Sequence, residues 1–342
     1  MSRKKRATGF PVDPEPLPYP CVDNHTHLDH IPTPSSPQDN PQPSSCVERI
    51  PSPSSCVERS GIAGSQSSPP APSSNSAPTD PVTTHVERAR RTGIAWMVTC
   101  GCEVPSLTWT SHITQQHPEI LGAIAIHPNE AVLHARTHEV GPDNLEPRYL
   151  PHHDLSLADA ISLVAVTAQA NPRIRAIGET GMDLFRTGPR GVETQRESFR
   201  AHIALAKELD LALQIHDRDA HAEVIDVLLK DGAPERTVFH CFSGDAEMAK
   251  IAAENGWYLS FAGPVTYPKN EDLRAALRVT PESHLLAETD APYLTPHPFR
   301  GQPNAPYVTA YTIRAMAEYR GDDLTDLCRA LSSNAERVYG AP

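Results

Sequence analysis

Eight short apolar runs alternate with amphipathic stretches in this 342-residue chain. The alternation predicts an α/β protein with a parallel sheet, and eight repeats predict closure into a (β/α)8 TIM barrel. Two further observations favour the barrel over an open doubly wound sheet. The length suits one barrel of about 250 residues with insertions. No Gly-x-Gly-x-x-Gly turn follows the first run.

The first strand is expected at 21–27, opening on Cys21-Val22-Asp23-Asn24, and the second at 94–101, on Ile94-Ala95-Trp96-Met97-Val98-Thr99. The remaining six are expected at 120–127, 174–181, 211–217, 236–242, 257–262 and 284–290. Helices are expected over Thr83–Arg91, Leu157–Ala170, Thr194–Leu209, Ala220–Lys230, Asp245–Glu254 and Glu271–Leu277. In the third of these, Phe199, Ile203 and Ala206 recur at helical spacing with Arg and Glu opposite. The stretch Val132–Pro151, rich in His and Pro, reads as a decorated loop after the third strand, with a lid as the alternative.

Residues 1–20 are expected to form a flexible tail, and 21–340 the barrel. Residues 31–80 interrupt the barrel as a separate kind of sequence. Half of them are Pro or Ser, and Pro43–Arg49 recurs as Pro53–Arg59. Such a segment cannot bury enough apolar surface to offset its ordering entropy, so it is expected to be a disordered insertion. A partner-binding linker is the second reading.

Hydrophobic content is 39%, with 35 Pro, and the Pro/Ser segment explains much of both figures. The net charge of −12 opposes a general nucleic-acid binder with a basic face, though not an enzyme whose metals meet the phosphate. No apolar run is long enough to span a bilayer. Met1–Arg6 is basic but lacks the hydrophobic core of a signal peptide, so it reads as a solvated tail. The seven scattered cysteines do not suggest a disulfide framework, and a reducing cytoplasm is expected. Cys100-Gly101-Cys102 reads as small buried thiols in a strand, with a metal or redox pair as the alternative.

Five stations put a hard-metal ligand at a strand end: His25 with His27, then Glu179, His216, His240 and Asp290. Residues two apart in a strand face the same side, so His25 and His27 point together. Barrel active sites lie at the C-terminal strand ends, where all six side chains could converge. Two divalent ions about 3.5–4 Å apart can activate a water and stabilise a leaving oxygen. Glu179 is the candidate bridge, since no Lys ends the fourth strand to supply a carbamylated alternative. The first ion is assigned to His25, His27 and Asp290 with Glu179, and the second to His216 and His240 with Glu179. Asp290 could also accept the proton of the activated water. Mixed imidazole and carboxylate ligands suit Mg, Mn or Zn. His127 could contact a substrate phosphate or orient a ligand. Asp183 could hold a ligand His by its other ring nitrogen. Arg218 could clamp a phosphate, with a structural salt bridge as the bland reading. Asn304 could pin the loop after the eighth strand.

On these residues the chain resembles the TatD family of metal-dependent DNases, within the amidohydrolase superfamily. The resemblance rests on Asp23-Asn24-His25-Thr26-His27-Leu28-Asp29, Ile126-His127-Pro128 and Ile177-Gly178-Glu179-Thr180-Gly181-Met182-Asp183. It continues through Gln195 with Phe199, Ile215–Ala220, His240–Gly244, Glu288–Leu294, Arg300-Gly301 with Asn304 and Pro306, and Asn334-Ala335. It covers 21–30 and about 82–340. It implies a (β/α)8 fold, two metal sites on the six residues already singled out, and phosphodiester hydrolysis on DNA, at a single-stranded 3′ end. The sequence departs from the family in the Pro/Ser insertion, and in having Leu184-Phe185 where an aromatic pair usually follows. The site chemistry also permits hydrolysis of a D-aminoacyl-tRNA ester or a small amide. A non-enzymatic scaffold presenting residues 31–80 is the third reading. No membrane and no obligate protein partner is indicated.

Overall fold

The computed structural model describes residues 9–32 and 80–342. Eight parallel strands pair in chain order: β1 (Cys21–Thr26), β2 (Ile94–Gly101), β3 (Ile120–Ile124), β4 (Ile174–Asp183), β5 (Ala212–Arg218), β6 (Thr237–Phe239), β7 (Tyr258–Phe261) and β8 (Leu285–Ala287). The helices are α1 (Pro81–Arg91), α2 (Val104–Gln116), α3 (Pro128–His134), α4 (Leu157–Ala170), α5 (Pro189–Glu208), α6 (His221–Asp231), α7 (Ala246–Glu254), α8 (Glu271–Val279), α9 (Thr309–Arg320) and α10 (Leu324–Tyr339). This is the expected TIM barrel, and all eight strands fall at their expected places. The expected repeat at 43–59 and nearly all of the 31–80 segment lie outside the described residues.

The barrel closes through polar groups rather than a long ladder. Asp23 accepts the Thr289 N–H at 2.8 Å and the Thr289 hydroxyl at 2.6 Å. The Asp290 N–H donates to the His25 carbonyl at 3.0 Å, and the His27 N–H to that of Ala291 at 2.8 Å. The seam thereby fixes His25 of β1, and His27 just past its end, against Asp290 beyond β8.

Alternation sets two cores. Val22, Trp96, Val98, Leu121, Ala123, Ala176, Ala212, Val238 and Leu286 fill the barrel interior with Val338 and Tyr339 of α10. Ile120, Ile124, Ile174, Ile177, Leu213 and Phe239 join the outer core with the helices. Helix starts follow their local chemistry. Ser156, Asp245 and Asp323 cap α4, α7 and α10 with side-chain acceptors, and Pro opens α1 and α5.

Two expectations need correction. Residues 9–20 are not a loose tail. Leu17 is buried, its N–H donates to the Thr92 carbonyl at 3.0 Å, and the Pro11 carbonyl accepts from Arg88 at 2.9 Å and from the Tyr307 hydroxyl at 2.5 Å. The Val132–Pro151 loop begins within α3, which runs to His134, where the His127 ring caps the helix start. The rest of the loop is pinned on α5, whose first N–H groups, Arg190 and Gly191, donate to Glu139. Among the described residues, no helix is long and apolar enough to cross a membrane.

Candidate metal centre

All six expected ligands meet at the C-terminal mouth of the barrel, and each histidine reaches it with one nitrogen tied behind. His25 Nδ1 lies 3.0 Å from Gln214 Oε1. Gln214 Nε2 must donate, because it faces the Asn24 carbonyl at 2.9 Å. The Gln oxygen therefore accepts, His25 Nδ1 carries the proton, and Nε2 presents a bare lone pair to the mouth. His27 Nδ1 faces the Cys100 carbonyl at 3.2 Å, with the same consequence. The two Nε2 atoms then lie 3.3 Å apart, acceptor against acceptor. Asp290 Oδ1 stands 3.5 Å from His27 Nε2 and 4.0 Å from His25 Nε2. Only a cation, proton or metal, reconciles these atoms.

The second half repeats the logic. His240 Nδ1 is held by Glu288 Oε1 at 3.3 Å, and its Nε2 points at Glu179 Oε2, 2.6 Å away. His216 Nε2 is held by Asp183 Oδ2 at 3.2 Å, and its Nδ1 faces the same Glu179 oxygen at 3.2 Å. The other oxygen, Oε1, faces His27 Nε2 at 3.6 Å. Glu179 thus offers one oxygen to each half, as a carboxylate bridging two ions would. The donor set of imidazoles and carboxylates fits divalent metal binding.

The charges record the same need. Burial opposes ionisation throughout, yet the imidazoles of His240, His127 and His216 hold Glu179 well below the usual carboxylate range. Burial would depress His216, but Asp183 and Glu179 on its two nitrogens raise it to about 9. His240 is likewise raised, against burial, by Glu179 and Glu288. Burial, then the neighbouring His240, push His25 well below its ordinary value. Burial thus favours the neutral form of His25, whereas the carboxylates around His216 and His240 favour protons that a metal would displace.

The remaining expected residues divide by role. Asp183 orients His216, as expected, and is itself fixed by Asn129 at 3.0 Å. A ring nitrogen of His127 lies within 4.8 Å of ligand atoms of Glu179 and His216, while its Nδ1 accepts the Asn129 N–H at 3.0 Å. Arg218 makes no ion pair among the described residues. Its guanidinium lies 4.0 Å over the Phe185 ring, so the single aromatic left after Asp183 braces a cation. Asn304 is buried and donates to the Thr289 and Tyr293 carbonyls at 2.9 and 2.5 Å, pinning the loop that carries Asp290. Gln214 and Glu288 escaped the sequence reading of the site, and Cys102, read there as a small buried thiol with a metal or redox pair as the alternative, stands beside Glu179 and His27. Gln214 stands two positions before His216 in β5, where strand alternation turns both to the same face, and Glu288 directly follows β8, two positions before Asp290. Gly181 lets β4 pass this close, since at φ +137° a Cβ would lie 2.1 Å from the His216 carbonyl oxygen.

A (β/α)8 barrel with a histidine–carboxylate centre at its C-terminal mouth defines the metal-dependent hydrolases of this fold. Comparison with known proteins narrows the class. The family model described as TatD related DNase matches residues 22–340, and the chain belongs to that family. It is 37% identical over 265 residues to a Mycobacterium tuberculosis (strain ATCC 25618 / H37Rv) protein named Uncharacterized metal-dependent hydrolase TatD, covering 76% of this chain and 92% of that one. It is 32% identical over 256 residues to Uncharacterized metal-dependent hydrolase YabD of Bacillus subtilis (strain 168), covering 74% and 91%. The crystal structure of YjjV, a TatD homologue from Escherichia coli K12, superposes with a TM-score of 0.65 at 23% identity, over 76% of this chain and 92% of that one. The last likeness concerns the fold alone.

Proposed function

We propose that this TatD-family hydrolase cleaves phosphodiester bonds of DNA, as a 3′–5′ exonuclease on single-stranded ends, with two ions of Mg, Mn or Zn. The observation that carries the reading is Glu179, whose Oε1 faces His27 and whose Oε2 faces His240 and His216. Bound there, the ions would activate a water and stabilise charge developing on the phosphoryl oxygens. Asp290 faces the imidazoles with Oδ1, which leaves Oδ2 to take a proton from the attacking water. Arg218 over Phe185 at 4.0 Å and Arg300 over Tyr267 at 4.1 Å offer two aromatic-braced cations suited to backbone phosphates in an otherwise acidic chain. The family description supports DNA as the substrate class.

The test is hydrolysis of a 5′-labelled single-stranded oligonucleotide by metal-stripped protein, with Mg, Mn and Zn restored separately. The expected result is metal-restored shortening that disappears in Asp290→Ala. Hydrolysis of an aminoacylated tRNA or a small amide, with DNA left intact by metal-loaded protein, would overturn it.

A further inference from the structure

The Cys100-Gly101-Cys102 stretch closes β2, which with β3 lies between β1 and β4, the strands that lead to His27 and Glu179. Alternation turns both thiols inward at successive levels. Cys100 lies in the interior core, and its Sγ donates to the Gly178 carbonyl at 3.0 Å. Cys102 stands one level higher, among the ligands. Its Sγ is 3.2 Å from Glu179 Oε1, the oxygen that faces His27. Sulfur, His27 ring nitrogen and Glu179 oxygen all lie within 4.8 Å of one another. With zinc–sulfur and zinc–nitrogen bonds of about 2.3 and 2.0–2.1 Å, adjacent donors on one four- or five-coordinate ion stand roughly 3.0–3.6 Å apart. The sulfur–oxygen and nitrogen–oxygen separations here, 3.2 and 3.6 Å, fall within that range.

We propose that Cys102 is a ligand of the first metal position, making it a mixed imidazole–carboxylate–thiolate site that selects Zn2+ or Co2+ over Mg2+. The inference rests on the two-metal reading above. Soft thiolate favours zinc-like ions, whereas carboxylate and water alone suit magnesium. Ligation exchanges the S–H bond for a sulfur–metal bond and releases the proton to solvent, with no change of oxidation state. Cys100 Sγ lies 3.5 Å from Cys102 Sγ, but its S–H is given to the Gly178 carbonyl, so it stands outside the ligand set and serves as the control thiol.

The experiment loads the full-length, metal-stripped protein with Co2+ or Zn2+, counts ions by elemental analysis, and records two spectra. Cobalt should give a sulfur-to-cobalt charge-transfer band in the near ultraviolet. The zinc X-ray absorption edge should show a sulfur neighbour at about 2.3 Å. Both signals should vanish in Cys102→Ser and persist in Cys100→Ser and Cys241→Ser. Zinc affinity in Cys102→Ser should fall by at least the roughly 10–100-fold that loss of an outer partner costs, with magnesium affinity little changed. Two bound ions with no sulfur signal in the wild-type protein would overturn the ligand assignment and leave the two-metal reading standing. Fewer than two ions would overturn the two-metal reading, and the sulfur signal would still decide the role of Cys102. The zinc-edge measurement needs no variant, so a misfolded Cys102→Ser would not leave the question open.

Discussion

Replacing Glu288 by Gln should loosen the second metal position while leaving the barrel folded. Glu288 is fully buried. Its Oε1 accepts from the Cys241 N–H at 2.7 Å and from His240 Nδ1 at 3.3 Å, and its Oε2 from Asn24 Nδ2 at 3.3 Å. All three partners donate, so an amide nitrogen on either side meets a donor. The milder placement sets it against Asn24 and leaves His240 a neutral oxygen instead of a charged one. A hydrogen bond to a charged group contributes about 1.5–3 kcal/mol. At about 1.4 kcal/mol per tenfold, that is roughly 10- to 150-fold in affinity, in line with the roughly 10–100-fold typical of partners behind a metal-bound histidine. Calorimetric titration of Zn2+ into metal-stripped protein should therefore show one site nearly unchanged and one weakened by about 10–100-fold. Circular dichroism should report an unaltered fold. If both sites stay within about twofold of wild type, Glu288 does not set the ligand state of His240 and the argument fails.

Other consequences are equally open to measurement. Burial holds the His202 imidazole down at about 4, and it stays neutral with Nε2 accepting the Ile126 N–H at 3.1 Å and Nδ1 facing the Ser198 carbonyl at 2.8 Å. A lowered histidine pKa means the unfolded chain binds the extra proton first. Its contribution, on the order of 3 kcal/mol, is then present above about pH 6.5 and lost as pH falls towards 4. Urea unfolding should show that acid slope, and His202→Gln should reduce it; an identical slope in the variant would remove His202 from the account. Arg218→Ala should raise KM for a DNA oligonucleotide and reduce the slope of binding against salt by about one phosphate contact. An unchanged salt slope would mark Arg218 as a cap on Phe185 only.

The strands and the meeting of the six candidate ligands were legible because both obey short rules. Apolar runs of strand length mark the sheet, and a ligand-type side chain in the C-terminal half of, or just past, five of the eight strands marks the mouth. Gln214 and Glu288 were equally readable by the alternation that paired His25 with His27, but a lone polar residue inside an apolar run carries no chemical label. Helix α2 gave no apolar stripe because it packs by small groups. Thr110 and Thr114 lie against Gly101 and Gly122, where a Cβ would already be within 3.2 Å of their side chains. Helices α9 and α10 follow the last strand, and their role appears only in three dimensions. The Tyr339 hydroxyl of α10 accepts from Gln214 at 2.8 Å, linking the barrel's base to the amide that orients His25. Residues 9–20 carry five prolines and little periodicity, and their order comes from Arg88, Tyr307 and Arg314.

The central claim is that Glu179 joins two metal ions in one site. The most direct test counts metal per chain after dialysis of zinc-loaded protein, comparing wild type with Glu179→Ala. The account predicts two ions in the wild type and at most one in the variant, with DNA hydrolysis lost. Two tightly held ions in Glu179→Ala, or a wild-type protein that holds only one, would contradict it.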